Sequence, residues 1–248
     1  NQEVVDLDEF LPNEGLHLIN GSGVNEDLLA IYREEDKHFQ ILERLDNVWG
    51  VKPRNSEQRL AMEYLLDPEI HVVSLSGKSG TGKTLLALAA GLQLMLTQNL
   101  YTRMLVSRPI FPMGRDLGYL PGDAQEKLAP WMQPIFDNLE LLIGNPKTGR
   151  GHSASGHQEL IERGLLVVEP LTYIRGRSIP NQYLLVDESQ NLTPHEMKTI
   201  ITRAGEGTKI VLTGDPHQID NPYVNEKKIK EISSKNIKCF SLELLPRI

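Results

Sequence analysis

The sequence is poor in cysteine and has no long hydrophobic run. Cys239 is the only cysteine among 248 residues, which excludes an intrachain disulfide and a cysteine-rich metal site and fits a reducing cytosol. The longest apolar stretch, from Leu85 to about Leu96, is interrupted by Gln93 and is too short to span a bilayer. No signal peptide is evident, and the chain begins at Asn1 rather than Met, as a fragment or a processed product would. We therefore expect a cytoplasmic protein without a membrane segment.

The sequence also has no excess of positive charge. Its formal net charge is −7, which argues against a chain that coats nucleic acid by bulk electrostatics, although a local basic groove remains compatible with this value. With 40% hydrophobic and 24% charged residues, the composition predicts one sizeable α/β domain and a small additional unit.

Three regions differ in their pattern. Residues 1–50 alternate short apolar pieces with Gly- and Asp-containing turns, which predicts two or three short strands in a small β appendage. Residues 51–225 contain a helical pattern and then the apolar runs IHVVSL, RMLVS, LLVVE, YLLVD and KIVLT, a rhythm typical of a parallel sheet flanked by helices. Residues 226–248 form an atypical tail, predicted as an amphipathic helix followed by a strand, KCFSLEL, that is able to add to a sheet edge.

The segment SGKSGTGKT lies between the first of these apolar runs and a helical pattern. It matches the phosphate-loop motif G-x-x-x-x-G-K-[ST] at Gly77, Gly82, Lys83 and Thr84. Glycines let the backbone curl so that successive N–H groups point at phosphates, and the following helix adds its positive dipole end. In such a loop Lys83 contacts the β- and γ-phosphates, and the Thr84 hydroxyl reaches Mg²⁺. The predicted nucleotide-binding residues of the loop are Gly77, Lys78, Ser79, Gly80, Thr81, Gly82, Lys83 and Thr84.

An acidic pair, Asp187 and Glu188, follows the apolar run YLLV. A carboxylate at the carboxyl end of a buried strand lies at the ligand edge of an open α/β sheet. Asp187 is therefore placed to hold hydrated Mg²⁺, and Glu188 to polarise the attacking water. The alternative is an exposed pair that starts the next helix. With a phosphate loop upstream, the pair favours hydrolysis over nucleotide sensing alone.

A third polar cluster follows the run KIVLT, in the segment TGDPHQID. Polar side chains at this edge could sense the γ-phosphate and pass its loss to neighbouring loops. Gly-Asp-Pro is also ordinary turn chemistry, so this signal alone is moderate. The residues concerned are Thr213, Gly214, Asp215 and Gln218.

Four stretches together resemble the PhoH family, P-loop ATPases whose core is similar to the first motor domain of superfamily 1 helicases. They are KPRNSEQ, the phosphate loop, the long segment at 107–134 that contains GYLPGD and EKLAPW, and VDESQNLTPHEMK with TGDPHQID. The resemblance covers about residues 48–224 and implies ATP as the nucleotide. It also implies that Gln58 reads the adenine edge, with Arg54 and Asn55 nearby. The alternative for Gln58 is a surface helix residue.

The resemblance further implies RNA as a partner, since family members are ATPases linked to RNA handling. Some are fused to an upstream PIN ribonuclease domain through a small β-rich linker, which residues 1–50 resemble. No nuclease activity is expected from this chain, because no PIN domain fits before Lys52. Charged and aromatic side chains in or beside the 107–134 segment suit single-stranded RNA; they are Arg103, Arg108, Phe111, Arg115, Tyr119, Lys127 and Trp131. The alternative for Phe111 and Trp131, as for Leu120, is packing against the sheet or a neighbouring subunit. The alternative function is a nucleotide-dependent switch or assembly ATPase with protein partners only.

The tail departs from the family pattern, because the usual late strand-and-arginine element is replaced after Val224. Phosphoryl transfer at such sites usually involves an arginine near the γ-phosphate. The loop TYIRGRSIPN offers Arg175 and Arg177, which we expect to complete the site of a neighbouring subunit in a homo-oligomer. The resemblance implies a hexameric ring. The alternatives are solvated loop arginines or contacts to RNA phosphates.

Overall fold

A computed structural model of the chain describes residues 10–18, 28–43, 45, 47–109, 124–144, 156–174, 176–221, 224 and 239–244. For residues 18, 124–129 and 239–244 the description covers the backbone only.

A small antiparallel sheet forms the N-terminal part, as the alternating pattern predicts. Its strands, in the spatial order β1-β2-β3, are β1 Gly15–Leu18, β2 Leu28–Arg33 and β3 His38–Ile41. Two contacts join this sheet to the end of the first helix. Arg33 Nη2 lies 2.7 Å from Asp67 Oδ2, and the Tyr64 hydroxyl donates to the Asn13 carbonyl at 2.9 Å. The appendage is thus anchored on the following domain.

A six-stranded parallel sheet forms the centre of the chain, in the order β6-β5-β7-β8-β4-β9. The predicted α/β class with a parallel sheet is confirmed. The strands are β4 Val72–Gly77, β5 Arg103–Arg108, β6 Leu166–Pro170, β7 Gln182–Val186, β8 Lys209–Gly214 and β9 Cys239–Leu244.

The last strand comes from the atypical tail. β9 pairs in parallel with β4, from Cys239 opposite Val72 to Leu244 opposite Gly77. The prediction that KCFSLEL adds to a sheet edge is confirmed for the backbone. The helix predicted before it falls on residues 226–238, outside the described residues.

Helices cover the two faces of the sheet, and two of them begin at caps that the sequence encodes. Asn55 Oδ1 accepts from the Gln58 N–H at 2.8 Å and starts α1, while Thr193 and Glu196 form a capping box with Pro194 in the first turn of α5. The helices are α1 Ser56–Leu66, α2 Lys83–Leu92, α3 Ala124–Ile143, α4 Gly156–Glu162 and α5 Pro194–Ile201. A turn of π-helix over Gln93–Thr97 continues α2. Among the described residues, no helix combines the length and apolar character needed to cross a membrane.

The sheet separates two hydrophobic clusters, because successive side chains of a strand point to opposite faces. On β7, Tyr183 and Leu185 belong to the larger cluster, which includes residues of α1, α2 and α3. Leu184 and Val186 belong to the smaller cluster, which includes Ile200 of α5. Both faces are therefore covered, as expected for a parallel sheet, and the carboxyl edge of the strands is left for the site.

A buried lysine holds the end of α1 against the sheet. Lys209, the first residue of β8, is 0% exposed. Its ammonium donates to the carbonyls of Tyr64 at 3.0 Å, Asp67 at 2.7 Å and Ile70 at 2.7 Å. Burial lowers the pKa of Lys209 to about 7, and the charge of Asp67 acts in the opposite direction.

This lysine makes stability depend on pH. Its pKa is lower in the folded chain, at about 7, than the ordinary 10.5. At a pH between these two values the unfolded chain therefore binds more protons than the folded chain. The contribution of Lys209 to the free energy of unfolding is then fully present above about pH 10.5, and it is lost as the pH falls through about 7. We expect the free energy of unfolding of the parent, relative to Lys209→Met, to rise between about pH 7 and 10 by up to about 1.4 kcal/mol per pH unit. Urea unfolding of both chains across this range measures the difference, and a difference independent of pH would contradict the account.

Candidate functional site

The phosphate loop connects β4 to α2 at the carboxyl edge of the sheet. Gly80 and Gly82 have φ angles of +80° and +87°, in the left-handed region that glycine adopts most readily. The loop borders a cleft of about 190 Å³. Predicted site residues that line this cleft are Ser79, Gly80, Gly82, Lys83, Thr84, Asp187, Glu188, Gly214, Asp215 and Gln218.

The ammonium of Lys83 lies inside the curve of the loop. It donates to the carbonyls of Gly77 at 2.6 Å and Lys78 at 2.9 Å, with the Thr81 hydroxyl at 3.4 Å. Burial lowers the pKa of Lys83, while the carboxylates of the cleft, with Asp215 first among them, act in the opposite direction. A phosphate in the cleft would offer this ammonium anionic acceptors in place of carbonyls.

Asp187 gathers hydroxyl groups from two other elements. Its Oδ1 accepts from Thr84 Oγ1 at 2.8 Å and from Thr213 Oγ1 at 2.6 Å. Asp187 directly follows β7, Thr213 is the penultimate residue of β8, and Thr84 lies in the first turn of α2. They meet at one edge because β8 lies between β7 and β4 in the sheet. Mg²⁺ prefers oxygen ligands and usually takes only one or two from protein side chains, beside phosphates and waters. The Thr84 hydroxyl and the Asp187 carboxylate fit such a site.

Glu188 lies in the same cleft with both carboxylate oxygens engaged. Oε1 is 3.1 Å from Arg108 Nη2, and Oε2 accepts from Gln190 Nε2 at 2.6 Å. Its backbone φ is +54°, an uncommon conformation for a residue other than glycine and one that is often found at functional sites. The structure therefore places the predicted base beside the phosphate loop and connects it to Arg108, which the sequence analysis had placed among possible RNA contacts.

The loop after β8 contacts the phosphate loop directly and the acidic pair through Gln190. Asp215 Oδ2 accepts from the Ser79 N–H at 2.9 Å, and the Asp215 N–H donates to Gln190 Oε1 at 3.1 Å. Gln190 Nε2 also donates to the Gln218 carbonyl at 2.9 Å. Gln190 thus connects Asp215 and Gln218, which are predicted to sense the γ-phosphate, to Glu188. The sequence analysis missed this role of Gln190, and the segment VDESQN offers no pattern that would single it out.

A second cleft of about 650 Å³ begins on the other side of the phosphate loop. Gln58, in the first turn of α1, lines it and contacts the loop directly: Nε2 donates to the Thr81 carbonyl at 3.0 Å, and Oε1 accepts from the Arg54 N–H at 2.8 Å. Gln58 is thus more than a surface helix residue. The apolar part of the lining is Trp49, Val51, Pro53, Leu85, Leu86, Leu141 and Leu142.

Two lining residues were not foreseen as parts of a site. Trp49 lies in a tight turn closed by reciprocal hydrogen bonds of 2.9 Å between Val48 and Val51, and its φ of +49° is uncommon for an aromatic residue. Asn138 of α3 lines the phosphate cleft. Neither residue belongs to a recognisable motif, so only the fold brings Trp49 and Asn138 to these two clefts.

Of the two arginines expected to complete the site of a neighbouring subunit, Arg175 and Arg177, the structure describes only Arg177. Arg177 Nη1 pairs with Glu169 Oε1 at 2.9 Å, and the Arg177 side chain is 55% exposed. It is not among the residues that line the described phosphate cleft of its own chain. Arg175 lies outside the described residues, as do Phe111, Arg115 and Tyr119, and the side chain of Lys127 is not described.

Comparison with known proteins identifies relatives over most of the chain. The model of the family described as PhoH-like protein matches residues 50–241. Protein PhoH2 of Bacillus subtilis is 50% identical over 220 residues, which are 87% of this chain and 48% of that protein. Protein PhoH2 of Mycolicibacterium smegmatis is 42% identical over 186 residues, 75% of this chain and 40% of that protein. The chain thus spans about half or less of the length of these relatives. Among solved structures, the Pif1 helicase from Candida albicans aligns with a TM-score of 0.40 and 15% identity over 79% of this chain and 40% of that chain.

Proposed function

Since the chain belongs to the PhoH-like protein family, we propose that it binds ATP with Mg²⁺, hydrolyses it, and acts on single-stranded RNA in the cytoplasm. One observation carries the hydrolase part of the proposal. Lys83, Thr84, Asp187 and Glu188 line a single cleft at the carboxyl edge of the sheet, where α/β proteins bind their ligands.

Each of these residues has a distinct role in the proposed reaction. Loop N–H groups and the Lys83 ammonium bind the β- and γ-phosphates, and Thr84 and Asp187 would hold Mg²⁺. When bound, Mg²⁺ would offset negative charge on those phosphates. Glu188 orients a water for attack on the γ-phosphorus and accepts its proton. Gln218, which lines the same cleft, senses the γ-phosphate.

The second cleft is the proposed site of the adenine base. It continues from the phosphate loop, and its lining combines aliphatic side chains with the amide of Gln58 and the ring of Trp49. Leu141 supports this assignment, because it is 61% exposed yet faces the cleft. A planar base between such side chains would remove apolar surface from water.

Removing the indole of Trp49 tests the base site. Stacking of a base on an aromatic ring contributes about 1–3 kcal/mol, so we expect Trp49→Ala to weaken ATP binding roughly 10- to 100-fold. Trp49→Phe, which keeps a ring, should retain most of the affinity. Binding of inorganic tripolyphosphate should change little in either variant, since the loop is untouched. Isothermal titration with both ligands measures this, and equal losses for ATP and tripolyphosphate would place the base elsewhere.

The contact between Gln58 and the loop changes what its removal should do. On sequence grounds, Gln58→Ala would relax the preference for adenine and leave phosphate binding intact. Because Gln58 Nε2 also holds the Thr81 carbonyl, we expect that variant to weaken tripolyphosphate binding as well as ATP binding. The comparison with Trp49→Ala therefore separates a residue that binds only the base from one that also supports the loop.

RNA stimulation is the test of the nucleic-acid part of the proposal. Family resemblance and the basic and aromatic residues of 103–131 support it. We expect single-stranded RNA to raise the rate of ATP hydrolysis, with an apparent affinity that falls as salt increases, because each phosphate contact releases a counterion. Arg115→Gln should flatten that salt dependence. Hydrolysis that RNA does not affect, together with no salt-dependent binding, would favour a switch with protein partners only.

We also propose that the active assembly is a homo-oligomer, a hexameric ring by family resemblance, in which Arg175 and Arg177 reach the neighbouring nucleotide. The exposed position of Arg177 supports this. Mixing Arg175→Ala/Arg177→Ala subunits with Lys83→Ala subunits should restore part of the hydrolysis that each lacks. A monomer with full activity in light scattering and kinetics would contradict the proposal.

A further inference from the structure

Arg108 joins the proposed catalytic base to a helix. It is the last residue of β5, the strand next to β7, with Ser107 opposite Val186. Its Nη2 lies 3.1 Å from Glu188 Oε1, and its Nη1 donates to the Trp131 carbonyl of α3 at 3.3 Å. One guanidinium thus fixes the position of the carboxylate relative to α3.

The helix at the other end of this connection borders both clefts. Asn138 lines the phosphate cleft, and Leu141 and Leu142 line the base cleft. Prolines 130 and 134 lie inside α3, where the missing N–H groups weaken the helical ladder and favour bending. A nucleotide that occupies both clefts would contact α3 about two turns beyond the carbonyl that Arg108 holds, and would bias the position of that helix.

The carboxylate of Glu188 is held on both oxygens. Arg108 binds Oε1 and Gln190 binds Oε2. To accept a proton from a water beside the γ-phosphate, the carboxylate must present an oxygen to that water within hydrogen-bond distance. The contact with Arg108 draws Oε1 toward β5 and α3. The two side chains are 21% and 30% exposed, so solvent and salt screen this ion pair only in part.

We infer that Arg108 is a positioning residue that restrains Glu188 until α3 shifts, so that nucleotide hydrolysis depends on the position of this helix. The inference rests on the proposed ATPase function and adds that the position of α3 controls the rate of hydrolysis. It also assigns to Arg108 a role inside the site rather than on an RNA-binding surface.

The test compares two substitutions of Arg108 in the absence of RNA. We expect Arg108→Gln to raise kcat for ATP hydrolysis roughly fivefold, because one charge-assisted hydrogen bond to the carboxylate is lost in a partly solvated position. Arg108→Lys should give an intermediate rate, since an ammonium can pair with Glu188 but cannot also present a second arm to the Trp131 carbonyl. The affinity for ADP, measured by titration calorimetry, should not fall, because the nucleotide no longer has to shift α3 against the contact with Arg108.

Two further variants show whether the change in kcat caused by Arg108→Gln acts through Glu188. In a Glu188→Gln background, Arg108→Gln should have no effect on single-turnover hydrolysis, because the restrained carboxylate is gone. Arg163→Gln is the matched control. It breaks an exposed ion pair with Glu159 on α4 and should leave kcat at the parental value.

The outcomes separate this inference from the function on which it rests. A parent chain that hydrolyses ATP, with Arg108→Gln at an equal or lower kcat, would overturn the inference alone. A rise in kcat that persists in the Glu188→Gln background would overturn it too. A parent chain that does not hydrolyse ATP under any of these conditions would overturn the proposed function and this inference together.

Discussion

Replacing Lys83 by Ala should lower kcat/KM for ATP hydrolysis by about 10³-fold, the scale of one lost charged donor at a site of developing negative charge. The ammonium lies within the loop, 2.6 Å from the Gly77 carbonyl, and no other lysine lines the phosphate cleft as described. Alanine therefore removes the lysine that lines the described cleft and leaves the backbone donors of the loop. Phosphate release and nucleotide titration together measure the loss.

A matched lysine variant makes this result specific. Lys198 is exposed on α5, away from the cleft lining, and Lys198→Ala should hydrolyse ATP at the parental rate. Thermal unfolding of both variants checks that each is folded. If Lys83→Ala retained more than about a tenth of the parental kcat/KM, the loop would not act as the phosphate-binding element of this account.

Replacing Glu188 by Gln should separate binding from chemistry. The amide keeps the size of the carboxylate and a carbonyl oxygen that can still accept from Arg108, but it cannot take a proton from water. General-base catalysis contributes about 10² to 10⁴ in rate, so we expect a fall in kcat of that order, with ATP still bound. Single-turnover hydrolysis and equilibrium binding of ATP measure the two quantities independently.

Glu159→Gln is the control for this substitution, because Glu159 lies in an exposed ion pair on α4. It should leave both quantities at the parental values. Parental turnover in Glu188→Gln would assign the base to another group. A loss of ATP affinity equal to the loss of kcat would instead mean that Glu188 supports nucleotide binding.

Much of the fold follows from short-range patterns. The apolar runs that predict strands are continuous because their strands are buried on both faces of a parallel sheet. The caps of α1 and α5 and the phosphate-loop glycines are likewise local signals, since each depends on residues within one or two turns. Even the strand of the atypical tail was predictable, because its apolar alternation needs a sheet edge.

The contacts in the fold and the site that sequence could not reveal depend on residues far apart in the chain. Arg108 and Glu188 are 80 positions apart, and Lys209 and Tyr64 are 145 positions apart. In a sequence, a charged residue at the end or start of a strand is indistinguishable from a solvated one. Only strand order brings Arg108 to the acidic pair and Lys209 to the carbonyls of α1. The pairings of Arg108 and Lys209 therefore required the structure.

Phosphate release from ATP by the purified chain with Mg²⁺ is the most direct measure of whether this cleft hydrolyses ATP. We expect steady release that stops when Mg²⁺ is chelated and that falls to background in Glu188→Gln while ATP stays bound. Tight ATP binding without phosphate release by the parent, or release that is equal in the parent and in Glu188→Gln, would contradict it.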